Sequence, residues 1–331
     1  MLYINTNDKN DVHTAYKALR NNYAPNGGSF VPFHLPQLST EQIRGLKSKT
    51  FGDIIAEMLN MFFSTKLTGW DIDFALGRNV AKVKSLSGEI FVAELWHNAG
   101  GQFQHLVNEL YAKVRADEQL VQPTQWFCIA VRISVLFAIY GTLIAEFEVS
   151  RNTSIDLSVT ATDLTVPAAA FFARKMGLPV DSIICTCEEN SGIWEFLYRG
   201  VRQSQCHMPD AFSSFVCSML GVDALPECIS VDIKQGSGTV SEELLSTIKE
   251  NVFTAAVGQQ RVDSVINSAY RTHQYIFHPA AAIAFGGLQD YRASRGEKKA
   301  ALILEDVSPI KEQTRIAGIL NIKEKELTQR I

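Results

Sequence analysis

The chain has 331 residues, with 31 basic against 35 acidic side chains for a formal net charge of −4, and is 46% hydrophobic. That length can bury a large core as one big or two ordinary domains, and 20% charged with 10% aromatic residues excludes general disorder. A near-neutral chain without a basic tail argues against nucleic-acid binding, and no collagen, heptad or short repeat period is visible.

The N-terminus MLYINTNDKNDVH carries neither a basic n-region nor an apolar h-region, so no secretory signal is read there and a cytoplasmic location is expected. In that compartment the six cysteines are expected as thiols. Cys185 and Cys187 form a C-x-C on a predicted strand, which puts both thiols on one face. They read as small core residues, and neither they nor the Cys206-His207 pair have the spacing of a zinc site. No metal is predicted.

Residues 1–80 read as a helical N-terminal cap region rather than a sheet. Residues 8–21 suggest a short polar helix. Pro25, Asn26-Gly27-Gly28, Pro32 and Pro36 then mark a turn-rich loop. Ser39 or Thr40 caps a helix with Glu41 and Gln42 in its first turn. Ile54, Ile55, Met58, Leu59, Phe62 and Phe63 stripe a second helix.

Residues 81–331 switch to strand–helix alternation, and the predicted class is α/β with a mostly parallel sheet and flanking helices. Residues 89–95 suggest a strand, and 103–115 and 128–147 helices. The stretch 126–145 is apolar apart from Arg132 and a few small polar residues. Its uncharged core is too short to span a bilayer, which takes about 18 such residues, so a buried central helix and no membrane contact are expected. A strand at 155–160, a helix at 167–176 ended by Gly177 and a strand at 182–187 form a β-α-β unit with a parallel pair. A short helix around Ile193, Phe196 and Leu197 and a strand at 228–233 follow. Gly236 and Gly238 make only a lone G-x-G, and Thr239 with Glu242 fits a capping box. Val262, Val265, Ile266, Ala269 and Tyr270 mark a helix. Pro279 opens another through Tyr291, residues 300–304 form an apolar strand, and a last helix starts at Pro309.

Three stretches resemble threonine synthase, a fold-type II enzyme that uses pyridoxal phosphate (PLP). Ala24-Pro25-Asn26-Gly27-Gly28-Ser29-Phe30-Val31-Pro32, with Leu35-Pro36 and then Phe51, Ile54 and Ala56-Glu57, resembles the family opening APDGGLYVP…LP…SFAEIAAE. Ala173-Arg174-Lys175-Met176-Gly177-Leu178-Pro179 resembles AKRMGLP. Tyr275, His278-Pro279-Ala280 and Ala284-Phe285-Gly286 resemble GYLLDPHTAVGYAA, and Ser308-Pro309-Ile310-Lys311 sits where the family writes HPAKF. The fold this implies is the family's large domain beneath an N-terminal cap.

Four departures from the family pattern bear on function. The family's PLP lysine lies in ELFHGPTLAFKDF; here Glu94, Leu95, His97 and Phe103 match, but Gln104 takes the lysine's place. A glutamine amide cannot form the Schiff base on which PLP chemistry begins. The family's small mobile domain, with its SGDTG loop, has no counterpart and looks deleted around 107–125; it would close over substrate and expel water. The glycine-rich phosphate loop PTGNFGN is replaced by Thr160-Ala161-Thr162-Asp163-Leu164-Thr165-Val166. There Asp163 brings a charge that repels a phosphate 4 Å away by about 4 kcal/mol, and Thr165 reads as a helix cap. Asp306 falls near the family's pyridine-facing Ser or Thr and otherwise reads as a solvated turn residue.

The expectation is a threonine synthase-like protein that has lost PLP-dependent catalysis, holds no cofactor and acts by binding. The partner would be another copy in a homo-oligomer, a different protein or a small metabolite. The alternatives are an enzyme that reuses the cleft without PLP, or residual PLP chemistry through a displaced Lys82, Lys84 or Lys113. Candidate cleft residues are His97, Asn98, Gln104, His105, Thr160, Thr162, Asp163, Thr165, Asp306 and Ser308. His97 could equally be a hydrogen-bonded core histidine and His105 a surface residue.

Overall fold

The computed structural model describes residues 1–25, 28–77, 80–87, 89–115, 119, 122–147, 154–189, 191–202, 211–222, 229–232, 237–296 and 299–331. Asn26-Gly27, Cys206-His207, Cys228 and residues 233–236 lie outside them.

The chain opens with strands β1 (Leu2–Asn5) and β2 (Asp8–Thr14), helix α1 (Ala15–Arg20) and strand β3 (Phe30–Pro32), which form an antiparallel sheet in the order β2-β1-β3. This corrects the expectation of a sheet-free helical cap and of a helix over 8–21. Residues 8–14 are polar and have no helical stripe to bury, while β1 offers them a long-range ladder from Leu2↔Thr14 to Ile4↔Val12; tertiary pairing overrides weak local preference. Buried Tyr3 anchors the sheet, donating its O–H to the Phe62 carbonyl at 2.7 Å and accepting from the Trp126 indole at 3.1 Å.

Helices α2 (Thr40–Gly45), α3 (Phe51–Phe63) and α4 (Gly69–Leu76) follow. Ser39, Thr50 and Thr68 each close a capping box with Gln42, Asp53 and Asp71, satisfying end N–H groups from both sides.

The main sheet has the order β11-β7-β6-β12-β5-β4. It comprises β4 (Lys82–Ser87), β5 (Ile90–Glu94), β6 (Ile155–Thr160), β7 (Val180–Glu188), β11 (Val252–Val257) and β12 (Ala301–Glu305). All pairs are parallel except the β4–β5 edge. Helices α5 (Phe103–Val114), α6 (Gln125–Glu146) and α7 (Thr165–Lys175) sit between β5 and β7 in sequence. Next come α8 (Gly192–Arg199), α9 (Phe212–Leu220) and α10 (Glu242–Asn251). A small antiparallel sheet of β8 (Val201–Arg202), β9 (Ile229–Asp232) and β10 (Ser237–Val240) lies among them. Thr239 is therefore a strand residue and Ser241 caps α10, accepting from Leu244 N–H. Helices α11 (Gln259–His273), α12 (Pro279–Arg295), α13 (Gln313–Leu320) and α14 (Glu324–Arg330) complete the chain.

Two apolar clusters sandwich the sheet, one reaching α3, α6 and α7, the other formed with α11, α12 and α13. Burial on both faces explains why β5 and β12 read IFVAE and ALILE without alternation. Helix α6 is long and apolar enough to cross a membrane by composition, but 89% of its apolar window is buried inside the fold; a helix apolar all round is a core helix when neighbours cover it. Cys185 and Cys187 are buried core residues.

α12 lies tight against the central strands. Ser158 and Thr160 donate their hydroxyls to the Ala284 and Ala280 carbonyls. A Cβ at Gly287 would meet Thr186 Oγ1 at 1.8 Å. Gly287→Ala therefore overpacks this contact, and we expect a loss of about 1–3 kcal/mol, measured by denaturant unfolding; an unchanged midpoint would refute the close approach.

Candidate functional site at the C-terminal ends of the parallel strands

β5 and β12 are parallel neighbours in the register Glu94↔Glu305, so both strands end on a carboxylate at the same level. Glu94 is 1% and Glu305 0% exposed. The Tyr275 hydroxyl lies 2.9 Å from Glu94 Oε1 and 2.6 Å from Glu305 Oε2. Glu305 also accepts from the Trp96 indole at 3.0 Å and the His278 N–H at 2.8 Å. Glu94 Oε2 meets His97 Nε2 at 2.7 Å, and its Oε1 meets Lys84 Nζ at 2.8 Å.

A phenol carries one proton and cannot donate to two carboxylates. One of the two acids must hold its own proton, and burial without a cation selects Glu305. Desolvation pushes its carboxyl up to about 7, against the opposing hydrogen bonds from Tyr275, His278 and Trp96. Burial also pushes Glu94 up, but the hydrogen bonds from His97, Lys84 and Tyr275 outweigh it and hold Glu94 below the usual carboxylate range. Burial, with the two acids beside it, raises the Tyr275 phenol far above its ordinary value. The proton order that satisfies every group is Glu305–OH donating to Tyr275, and Tyr275–OH donating to ionised Glu94.

A second buried charge lies beside this pair. Arg132 of α6 is 4% exposed and forms a two-pronged ion pair with Asp306, both contacts at 2.7 Å. Its guanidinium sits 3.4 Å from the Phe103 ring centroid, and the Phe103 N–H donates to the Asp306 carbonyl at 2.7 Å. Asp306 is thus a buried arginine's partner rather than a solvated turn residue. The sequence offered no strong signal for this, because 174 residues separate the two.

The sequence-predicted residues divide among separate places. His97, Asn98 and Ser308 line an open cavity of about 730 Å³ that also takes in Lys82, Gly101 and Lys311. Thr160 and Thr162 line another of about 310 Å³, with Glu188, Gln259 and Arg315. Gln104 lies on the exposed face of α5, donating to Asn108 at 3.0 Å. His105 stands one position on, 4.0 Å from Glu109. Thr165 does not cap α7: it is the first helical residue, and Asp163 accepts its N–H at 2.7 Å, because the Asp side chain reaches two residues forward. Lys82 and Lys84 belong to β4, and Lys84 reaches the buried Glu94 rather than solvent alone. Sequence reasoning passed over Glu94, Glu305, Tyr275 and Arg132 as site residues. Their signal was acids ending two apolar strands and an arginine inside an apolar helix. Among the described residues no three His, Cys, Asp or Glu side chains converge into a metal-binding group.

This mixed α/β architecture is the fold of threonine synthases. The chain aligns with PLP-bound threonine synthase from Brucella melitensis at TM-score 0.80 and 16% identity, over 97% of this chain and 92% of that one. The yeast enzyme follows at 0.79 and 13%, over 97% and 90%, and the Escherichia coli enzyme at 0.71 and 16%, over 100% and 94%. Residues 2–75 match the family model "Threonine synthase N terminus". "Threonine synthase-like 2" of Mus musculus is 30% identical over 98 residues, and that of Pongo abelii 31% over 98. Each match covers 27% of this chain and 20% of the relative, so a fifth of the relatives' length is represented. The N-terminal segment thus resembles that of threonine synthases, and the chain shares their fold.

The protonation order has a pH signature. Glu305's folded value lies above its ordinary 4.5, so the folded chain keeps a proton that the unfolded chain releases. Stability from this group is present below about pH 4.5 and is lost as pH rises to about 7, on the order of 3 kcal/mol in all. Buried His278, lowered to about 4, drives stability the other way between 4 and 6.5. We therefore compare wild type with Glu305→Gln by urea unfolding from pH 4.5 to 8. The stability difference should shift in the variant's favour as pH rises; a pH-independent difference would show that Glu305 is ionised throughout.

Proposed function

We propose that this threonine synthase-like chain does not perform PLP chemistry and acts as a binding protein. The observation that carries this is Gln104: the resemblance places the PLP lysine there, and an exposed amide bonded to Asn108 occupies the position instead. An amide nitrogen is no nucleophile.

The rest of the donor set does not fit PLP either. Asp163 supplies the α7 helix start with its own carboxylate, at the loop the resemblance assigns to the coenzyme phosphate; a helix N-terminus serves one anion well and two poorly. Asp306 is engaged by Arg132 on both oxygens and is not available to a ring nitrogen. Residues 115–124 alone join α5 to α6, where a closing domain would need roughly 50 residues. No step through PLP follows from these residues.

The partner we favour is a second copy of the chain. Trp70 and Phe74 stack on α4 while 68% and 69% exposed, and large exposed rings mark interfaces more often than free surface. The alternative of an enzyme that reuses this end of the sheet is favoured by one observation, the His97–Glu94 pair, which has the form of an acid–base couple.

Two measurements test the proposal. Wild-type protein mixed with PLP should show no new visible absorption band and no lysine tagged after borohydride reduction; a tagged lysine would overturn it. Light scattering should give at least twice the 36.7 kDa chain mass, and Trp70→Ser with Phe74→Ser should return it to one. A monomeric wild type would remove the self-association.

A further inference from the structure

We infer that the cavity bounded by Lys82, His97, Asn98, Ser308 and Lys311 is a binding site for a small oxyanion, a phosphate or carboxylate group carried on a compact molecule. Of about 730 Å³, it is lined by two lysines and a histidine and by no carboxylate. This is a local excess of positive charge on a chain of net charge −4. Among the described residues neither Lys82 nor Lys311 has an acidic side chain in ion-pair reach, whereas Lys84, two positions along the same strand, is paired with Glu94. Unpaired ammonium groups around a concavity attract anions from solution and hold them as point charges.

The floor of the cavity is built for this role. His97 is stacked on Trp96, ring centroids 4.0 Å apart, and its Nε2 is fixed on Glu94. That contact leaves Nδ1 as the nitrogen able to face a ligand. The Lys311 stem lies over Gly101, whose absent Cβ would come within 3.3 Å of Lys311 Cε. Gly101 has φ +63°, so the loop under the lysine takes a shape that favours glycine. The titratable groups around His97 are Lys82 and Lys84 from β4, Glu94 from β5, Glu305 ending β12 with Asp306 just after it, Tyr275 before α12, and Lys311. Of these, burial pushes the Glu305 carboxyl up to about 7, and Asp306 is turned to Arg132. The balance left facing the cavity is positive.

The inference deepens the proposed binding function and rests on this end of the sheet holding a ligand rather than a coenzyme. A PLP band would remove that function yet leave the following titration free to succeed or fail alone. Sulfate, a dianion at every pH used, is titrated into the full chain by calorimetry at constant ionic strength. Saturable binding is expected, weakened about tenfold in Lys82→Gln and in Lys311→Gln with unchanged thermal midpoints. Displacement of sulfate by glycerol phosphate alone assigns a phosphate ligand, and by glutarate alone a carboxylate ligand. Failure of both, or equal sulfate binding by wild type and the double lysine variant, overturns the inference.

Discussion

Two buried acids at the ends of neighbouring strands set the terms for this end of the molecule. Parallel register brings Glu94 and Glu305 to one level, and both are buried. Two ionised carboxylates there would each carry a desolvation penalty of several kcal/mol and repel one another. The fold resolves this asymmetrically. Glu94 draws Lys84 from the edge strand and His97 from the following loop. Glu305 receives only neutral donors, the Trp96 indole, the Tyr275 phenol and the His278 amide. The groups that stabilise one charge and suppress the other also fix the β5–α5 loop, the entry to α12 and the end of β4.

That asymmetry explains why charge accumulates outside rather than inside. Glu94 uses one lysine and one imidazole, and among the described residues no acidic side chain pairs with Lys82 or Lys311. Next door, Arg132 and Asp306 neutralise each other beneath Phe103. Removing Asp306 would strand a buried guanidinium, the expensive way to break such a pair. Arg132 therefore ties α6, a long buried helix, to the end of β12 and to the start of α5. This clamp lies where the family resemblance puts a coenzyme ring partner, and it gives Asp306 a structural occupation.

Much of the fold was legible in the sequence because the parallel strands and helices carry their own periodicity. The β6–α7–β7 unit, the stripe of α11 and Pro279 opening α12 were all read within a few residues. The N-terminal sheet was not, because β2 is a strand only by virtue of β1; its own residues, DKNDVHT, have no face to bury. The caps show the same limit at smaller scale. Ser39 closes its capping box as read, but at α7 Thr165 is the first helical residue with its N–H taken by Asp163, and at α10 the cap is Ser241 instead of Thr239. Local pattern names the candidates, and backbone direction chooses among them.

The candidate site was half legible for a different reason. His97, Asn98 and Ser308 were found because they sit in stretches with family-like spacing, and they converge on one cavity. Gln104 and His105 came from the same stretch, yet the helix turns Gln104 to solvent and leaves His105 half-buried beside Gly100. A helix advances 100° per residue, so neighbours of a buried Phe103 face outward unless the sequence keeps them in. Glu94, Tyr275 and Glu305 lie 181 and 30 residues apart along the contacts that join them. No spacing rule connects them; parallel register does. An acid ending an apolar strand looks like a boundary marker in one sequence, and becomes half of a proton-sharing pair only when the adjacent strand ends the same way.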